Sequence, residues 1–143
     1  MTQRFTFHVV SLPHTQTTAE YTHCAYTQKV RKFCNMMTDL GHEVILYASE
    51  ENEARVKELV TVITKDKQHE LFGDNDHTKQ FFNITWGTYD PGWVEMNANA
   101  IRAIATRIKP RDFICVIGGT CQEVIARAFP DNMTVEYGIG YLG

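Results

Sequence analysis

The chain has 143 residues, 43% of them apolar and 22% charged, the proportions of a globular protein long enough to bury one core. Its 14 basic and 17 acidic residues give a net charge of −3, with the basic ones scattered. That balance excludes a strong footprint for nucleic acid or an anionic membrane surface, and no apolar run is long enough to predict a transmembrane helix.

In chain order, Phe5 to Leu12 reads as a first strand and Pro13 to Thr22 as a long polar loop. Tyr26, Val30, Phe33 and Met37 follow at helical spacing, and Gly41 is a natural stop. Glu43 to Ala48 predicts a second strand, Glu51 to Lys57 a short helix, and Leu59 to Ile63 a third strand. Residues 65 to 92 are polar and aromatic, and read as one or two short helices ending in the turn Asp90-Pro-Gly92. A longer helix is expected from about Trp93 to Ile108, with Ile101, Ile104, Ala105 and Ile108 inward, ended by Lys109-Pro110.

Phe113 to Ile117 is apolar without alternation, as in a strand covered on both faces. Gly118-Gly119 breaks it, and Thr120-x-x-Glu123 has the pattern of a capping box for a helix burying Val124, Ile125 and Ala128. Met133 to Tyr137 supplies a fifth strand. This alternation predicts one Rossmann-like, three-layer α/β domain over residues 1–143, with a mainly parallel sheet of five or more strands.

In the commonest doubly wound order the first strand neighbours Phe113 to Ile117, and ligands bind beyond the carboxyl ends of those two strands. One wall of that crevice is then Pro13, His14, Thr15, Gln16 and Thr17; the other is Gly118, Gly119, Thr120 and Gln122, with Glu136 near its edge. A strand running through a glycine turn into a helix aims backbone N–H groups at one point, which suits a phosphate. The same glycines also serve simply to turn tightly and let the helix pack close. His14 reads either as a general base or ligand contact, or as an exposed residue beside a helix capped by Thr17-x-x-Glu20 or a nearby residue. Glu136 either accepts hydrogen bonds from sugar hydroxyls or pairs with a basic neighbour. Trp86, Tyr89 and Trp93 either stack on a ligand ring or anchor their turn to the core.

Neither G-x-x-x-x-G-K-[ST] nor G-x-G-x-x-G after the first strand is present, so no cofactor is expected. The 6 histidines lack metal-ligand spacing, and Cys24, Cys34, Cys115 and Cys121 form no C-x-x-C pair. No metal site, reduced packed thiols and a cytoplasmic location are the expectations.

Taken together, Val9 to Thr18, Lys29 to Cys34, Leu40 to Tyr47, Asp112 to Thr120 and Val135 to Tyr141 resemble the N-terminal half of a GT-B glycosyltransferase. The resemblance implies an acceptor-side domain whose nucleotide-sugar donor is gripped by a second domain that this sequence lacks. The expectation is therefore a domain that binds, and could act by sequestering, a small phosphorylated ligand of nucleotide or nucleotide-sugar type, without complete catalysis on its own. The alternative is the acceptor-binding half or subunit of an active glycosyltransferase, with His14 as acceptor-side base. A homo-oligomer or a separate donor-domain chain would complete the cleft.

Overall fold

Five short strands lie side by side in the order β3-β2-β1-β4-β5, every neighbouring pair parallel. They are β1 (Thr6–Val10), β2 (Glu43–Ala48), β3 (Glu58–Thr61), β4 (Phe113–Val116) and β5 (Thr134–Glu136). The computed structural model describes residues 3–79 and 89–137. Helices α1 (Ala25–Asp39), α2 (Lys65–Phe72), α3 (Pro91–Ala105) and α4 (Glu123–Ala128) complete the elements, with a 3-10 turn over Gly119–Gln122. The sheet is the parallel α/β arrangement that the alternation predicts, and β1 lies beside β4 as expected.

Alternation along each strand divides the core in two. Val9, Val44, Leu46 and Cys115 pack with Val30, Phe33 and Cys34 of α1 on one face. Val10, Ile45, Tyr47, Ile114 and Val116 pack with Met96, Ala100 and Ile104 of α3, and with Ile125 of α4, on the other. Both faces of β1, β2 and β4 are thereby covered, which is why these strands read as continuous apolar runs. Each fully buried Leu or Ile here contributes about 1.5–3 kcal/mol through its removal from water.

One polar chain crosses the second face. His8 on β1 hydrogen-bonds through Nε2 to Asp112 Oδ2 and through Nδ1 to the Tyr47 hydroxyl, each at 2.7 Å. His8 and Tyr47 are fully buried, so these bonds satisfy polar atoms that would otherwise be stranded in the core.

Several local expectations are corrected. Residues 51–57 hold no helix; Asn52 instead forms an isolated parallel bridge with Thr17. The cap of α1 is Cys24, whose Sγ accepts from Thr27 N at 3.4 Å, so Thr17-x-x-Glu20 caps nothing. Ala105, Val124 and Ala128 are exposed, while Ile104 and Ile125 carry the burial expected of their helices. The loop after β1 is not a solvent-washed polar segment: Pro13 to Thr18 are all buried. Trp93 is an anchor in the core, Tyr89 is exposed, and Trp86 lies outside the described residues.

Candidate functional site

Polar residues stay buried in the 13–18 loop because almost every side chain there has found a partner from another part of the chain. Thr15 Oγ1 shares a 2.6 Å hydrogen bond with Thr27 Oγ1 of α1. Gln16 Oε1 accepts from Glu51 N at 2.8 Å, while its Nε2 donates to Ser49 Oγ at 2.9 Å and to Gln68 Oε1 at 2.8 Å. Thr17 Oγ1 donates to Asn52 Oδ1 at 2.7 Å, and its backbone pairs with Glu51 and Glu53. Gln68 Nε2 in turn donates to the carbonyls of Pro13 and Thr15, both at 3.1 Å. The loop is thus held against β2 and α2, and Thr15, Gln16 and Thr17 direct their polar atoms inward.

The opposite wall is closed as well. Gln122 is completely buried, and its Oε1 accepts from Ile117 N at 2.9 Å and Gly118 N at 2.7 Å. Its Nε2 donates to Ser11 O at 3.0 Å and, more weakly, to Val10 O at 3.4 Å. One side-chain amide therefore spans the gap between the ends of β1 and β4. The N–H groups of Ile117 and Gly118 are thereby engaged within the chain.

The glycines of this turn have separate reasons. A Cβ at Gly118 would lie 2.7 and 2.9 Å from two carbons of the Trp93 ring, so close packing excludes one. Gly119 takes φ +60°, and a Cβ there would sit 3.2 Å from Glu136 Oε1, which puts a carboxylate rather than a cation beside the turn. The capping box does not form: neither the 3-10 turn nor α4 has a side-chain cap bond, and Thr120 is exposed.

Space opens instead on the other side of the 13–18 loop. A cavity of about 310 Å³ lies beyond the carboxyl ends of β1, β2 and β3, walled by His14, Tyr21, Glu51, Lys65, Gln68, Phe72 and His77 among others. That volume is at the small end of the usual range for ligand pockets. His14, Phe72 and His77 form its ring-lined wall: His14 and His77 meet edge to face at 5.2 Å between centroids, and Phe72 lies 6.4 Å from His14 and 6.1 Å from His77. Lys65 Nζ and Glu51 Oε1 pair at 2.9 Å on the more exposed side.

The electrostatics follow from this placement. Burial, reinforced by His77, drives the His14 imidazole down to about 2, so it is uncharged at neutral pH. Burial also lowers His77, against opposing effects of a hydrogen bond with the His14 backbone and of Asp76. Burial raises the Tyr21 phenol, helped by Glu51, Asp76 and Glu20, so it remains an O–H group. The other titratable side chains on the wall are Lys65 and Glu51, paired with each other, Asp76, whose carboxylate lies 3.9 Å from Lys79 Nζ, and His69, 3.4 Å from Asp74.

Of the described residues singled out from sequence as site residues, the structure brings His14 and Gln16 to this cavity, and Gln16 arrives with its amide engaged. Gly118, Gly119, Thr120, Gln122 and Glu136 belong to the separate glycine turn. Tyr21, Glu51, Lys65, Gln68, Phe72 and His77 were missed as site residues. For Phe72 and His77 the sequence signal is the concentration of histidine and aromatic residues after Thr64; Tyr21 and Glu51 lie outside that stretch.

Comparison with known family models, with curated proteins and with solved structures finds no match to this chain. Among the described residues no cluster of three or more His, Cys, Asp or Glu side chains is arranged to hold a metal ion. No described helix is long and apolar enough to cross a membrane.

Proposed function

We propose that this domain binds a small ligand of nucleotide or nucleotide-sugar type in the cavity between the 13–18 loop and α2. The observation that supports this reading is the cavity itself: a ring-lined, hydrogen-bonding recess of about 310 Å³ at the carboxyl edge of a parallel sheet. That edge is where ligands of such sheets gather, because the connecting loops diverge there while the strands hold them rigid. Its walls are set by the Gln16–Gln68 network before any ligand arrives, which lowers the ordering cost of binding.

The reading is binding rather than transfer. A general base works best when its pKa lies near the working pH, and burial takes His14 far below that. The acceptor half of a GT-B glycosyltransferase remains the resemblance of the sequence pattern, and its activity would depend on a partner chain carrying the donor site.

Thermal-shift screening against nucleosides, nucleotides, sugars and nucleotide sugars, followed by mass analysis of recovered ligand, tests the proposal. A true ligand at a hundred times its dissociation constant stabilises the fold by about 2.7 kcal/mol and is recovered unchanged. Silence across the whole panel overturns the reading; chemical turnover by the isolated chain replaces it with an enzyme.

A further inference from the structure

We propose that the outer face of α3 pairs with the same face of a second copy of this chain, the two helices antiparallel, in a reversible homodimer. The proposal stands apart from the ligand reading above.

The face is apolar and open. Val94, Ala98, Ile101 and Ala105 stand four, three and four residues apart, the spacing of a seam between two helices. The side of α3 turned to the sheet is a different one, burying Trp93, Met96, Asn97, Ala100 and Ile104. Val94 is 50% exposed and Ala105 is exposed, with Ala98 and Ile101 half-buried between them. Helix α4, packed on the same face of the sheet, adds exposed Val124 and Ala128. Apolar surface grouped in this way marks a place where another surface docks.

Two properties commit it to its own copy. The first is size. With two α3 helices antiparallel about a two-fold axis between Asn99 and Ala100, Ala98 lies across from the partner's Ile101, and Val94 from the partner's Ala105. Small faces large in each layer, so the helices can approach closely without leaving a void. A parallel pair would set Ile101 against its own copy and Ala98 against its own copy, alternating crowding with gaps.

The second is charge. Glu95 and Arg102 lie along one edge of the seam, where opposite charges on two helices select partner and orientation. Among the described residues both reach the Asn99 amide rather than an opposite charge: Glu95 Oε1 accepts from Asn99 Nδ2 at 3.3 Å, and Arg102 Nη2 donates to Asn99 Oδ1. Asn99 Nδ2 is shared with the Val62 carbonyl at 2.9 Å. Antiparallel pairing brings Glu95 of each copy towards the partner's Arg102, so one symmetry axis makes two opposite-charge pairs. Other charges around α3 and α4 are engaged within the chain: Lys67 with Glu70, Arg107 with Glu58, Arg127 with Glu123, and Asp90 with Gly92 N.

The 15 residues of α3 make a helix about 22 Å long, which sets the scale of the contact. Such a contact falls below the about 1,600 Å² of a standard stable interface, so the dimer is expected to dissociate in the micromolar range, about 1–100 µM.

Sedimentation velocity across that range, on the full chain, is the experiment. A concentration-dependent shift from monomer to dimer is expected. Ala98→Glu places a carboxylate in the seam and should leave a monomer with an unchanged circular dichroism spectrum. On the edge, Glu95→Arg alone and Arg102→Glu alone should each weaken the dimer at least about tenfold, since like charges then face each other. An equimolar mixture of those two variants should restore dimerisation to within about threefold of the starting protein, because both facing pairs are again opposite in sign. A monomer at every concentration overturns the proposal and leaves this face to a different protein. A dimer that Ala98→Glu leaves intact, or singly charged-reversed variants that fail to recover on mixing, overturns it too, since another surface or orientation then holds the copies together.

Discussion

The side-chain amides of Gln16 and Gln68, separated by 52 residues in sequence, are joined by a 2.8 Å hydrogen bond from Nε2 of the first to Oε1 of the second. Each glutamine also serves backbone groups: Gln16 accepts from Glu51 N, and Gln68 donates to the Pro13 and Thr15 carbonyls. The pair sets the distance between the loop after β1 and α2, and therefore the width of the cavity between them.

Replacing either glutamine by leucine removes this shared bond and leaves buried partners unsatisfied. Gln16→Leu and Gln68→Leu are each expected to destabilise the fold, and a double-mutant cycle should return a coupling of about 0.5–3 kcal/mol. Urea denaturation of the four proteins measures it. Simple additivity would mean that the loop and helix are held apart by other contacts.

Gln122 makes a parallel prediction on the other side of β1. Gln122→Ala strips partners from the N–H groups of Ile117 and Gly118 and from the Ser11 carbonyl in a closed part of the fold. With each buried orphan costing about 1–3 kcal/mol, the loss should reach at least about 3 kcal/mol. Chemical denaturation gives the value, and a loss below about 1 kcal/mol would mean that water readily takes the amide's place.

The adjacent glycines should separate cleanly. Gly118→Ala forces a methyl against the buried Trp93 ring, an overpacking expected to cost about 1–3 kcal/mol or more. Gly119→Ala meets only the mobile end of Glu136 and keeps a left-handed φ, for about 1–2 kcal/mol. Because neither lines the cavity, Gly119→Ala should leave ligand affinity unchanged. A Gly119→Ala protein that is folded yet fails to bind would return the site to the glycine turn.

Much of the fold was legible because its signals are local. Val44 to Ala48 is continuous apolar sequence, and Glu43–Ala48 forms β2 as expected, covered on both faces. The neighbouring placement of β1 and β4 follows from the strand–helix alternation alone. The site was less legible because it is made by long-range partners. Gln122 reads from sequence as a ligand-facing wall of the crevice; only the approach of the Ser11 carbonyl, 111 residues earlier, makes it a clasp within the chain. The polar loop reads as exposed until Ser49, Asn52 and Gln68 are brought against it. In α4, six residues are too few for periodicity to set the inward face, and Ile125 alone is buried where three were expected.

The cysteines offer a test of burial. Cys34 and Cys115 face the same core cluster, and burial raises both thiols to about 12. At neutral pH the thiolate fraction is negligible, so neither should react with a maleimide in the native protein. Mass spectrometry after brief labelling checks this, with rapid modification of all four cysteines expected only after unfolding. Labelling of Cys34 or Cys115 in native buffer would show that the α1 face opens.

His14 gives the fold a defined response to acid. In the unfolded chain its pKa is near 6.5; in the folded protein burial takes it to about 2. Between those values the unfolded state binds the extra proton, so stability rises with pH through this window and is fully present above 6.5. As pH falls below 6.5 the contribution is lost, with a slope approaching about 1.4 kcal/mol per pH unit from this residue alone. The lowered His77 acts in the same direction. His14→Phe keeps a ring against Phe72 and His77 and removes the titration, so its stability should fall less steeply over the same range. Urea melts at about pH 7 and about pH 5 for the two proteins give the slopes. Equal slopes would mean that the loop admits a proton to His14 without unfolding, and that the neutral wall of the cavity does not survive in acid.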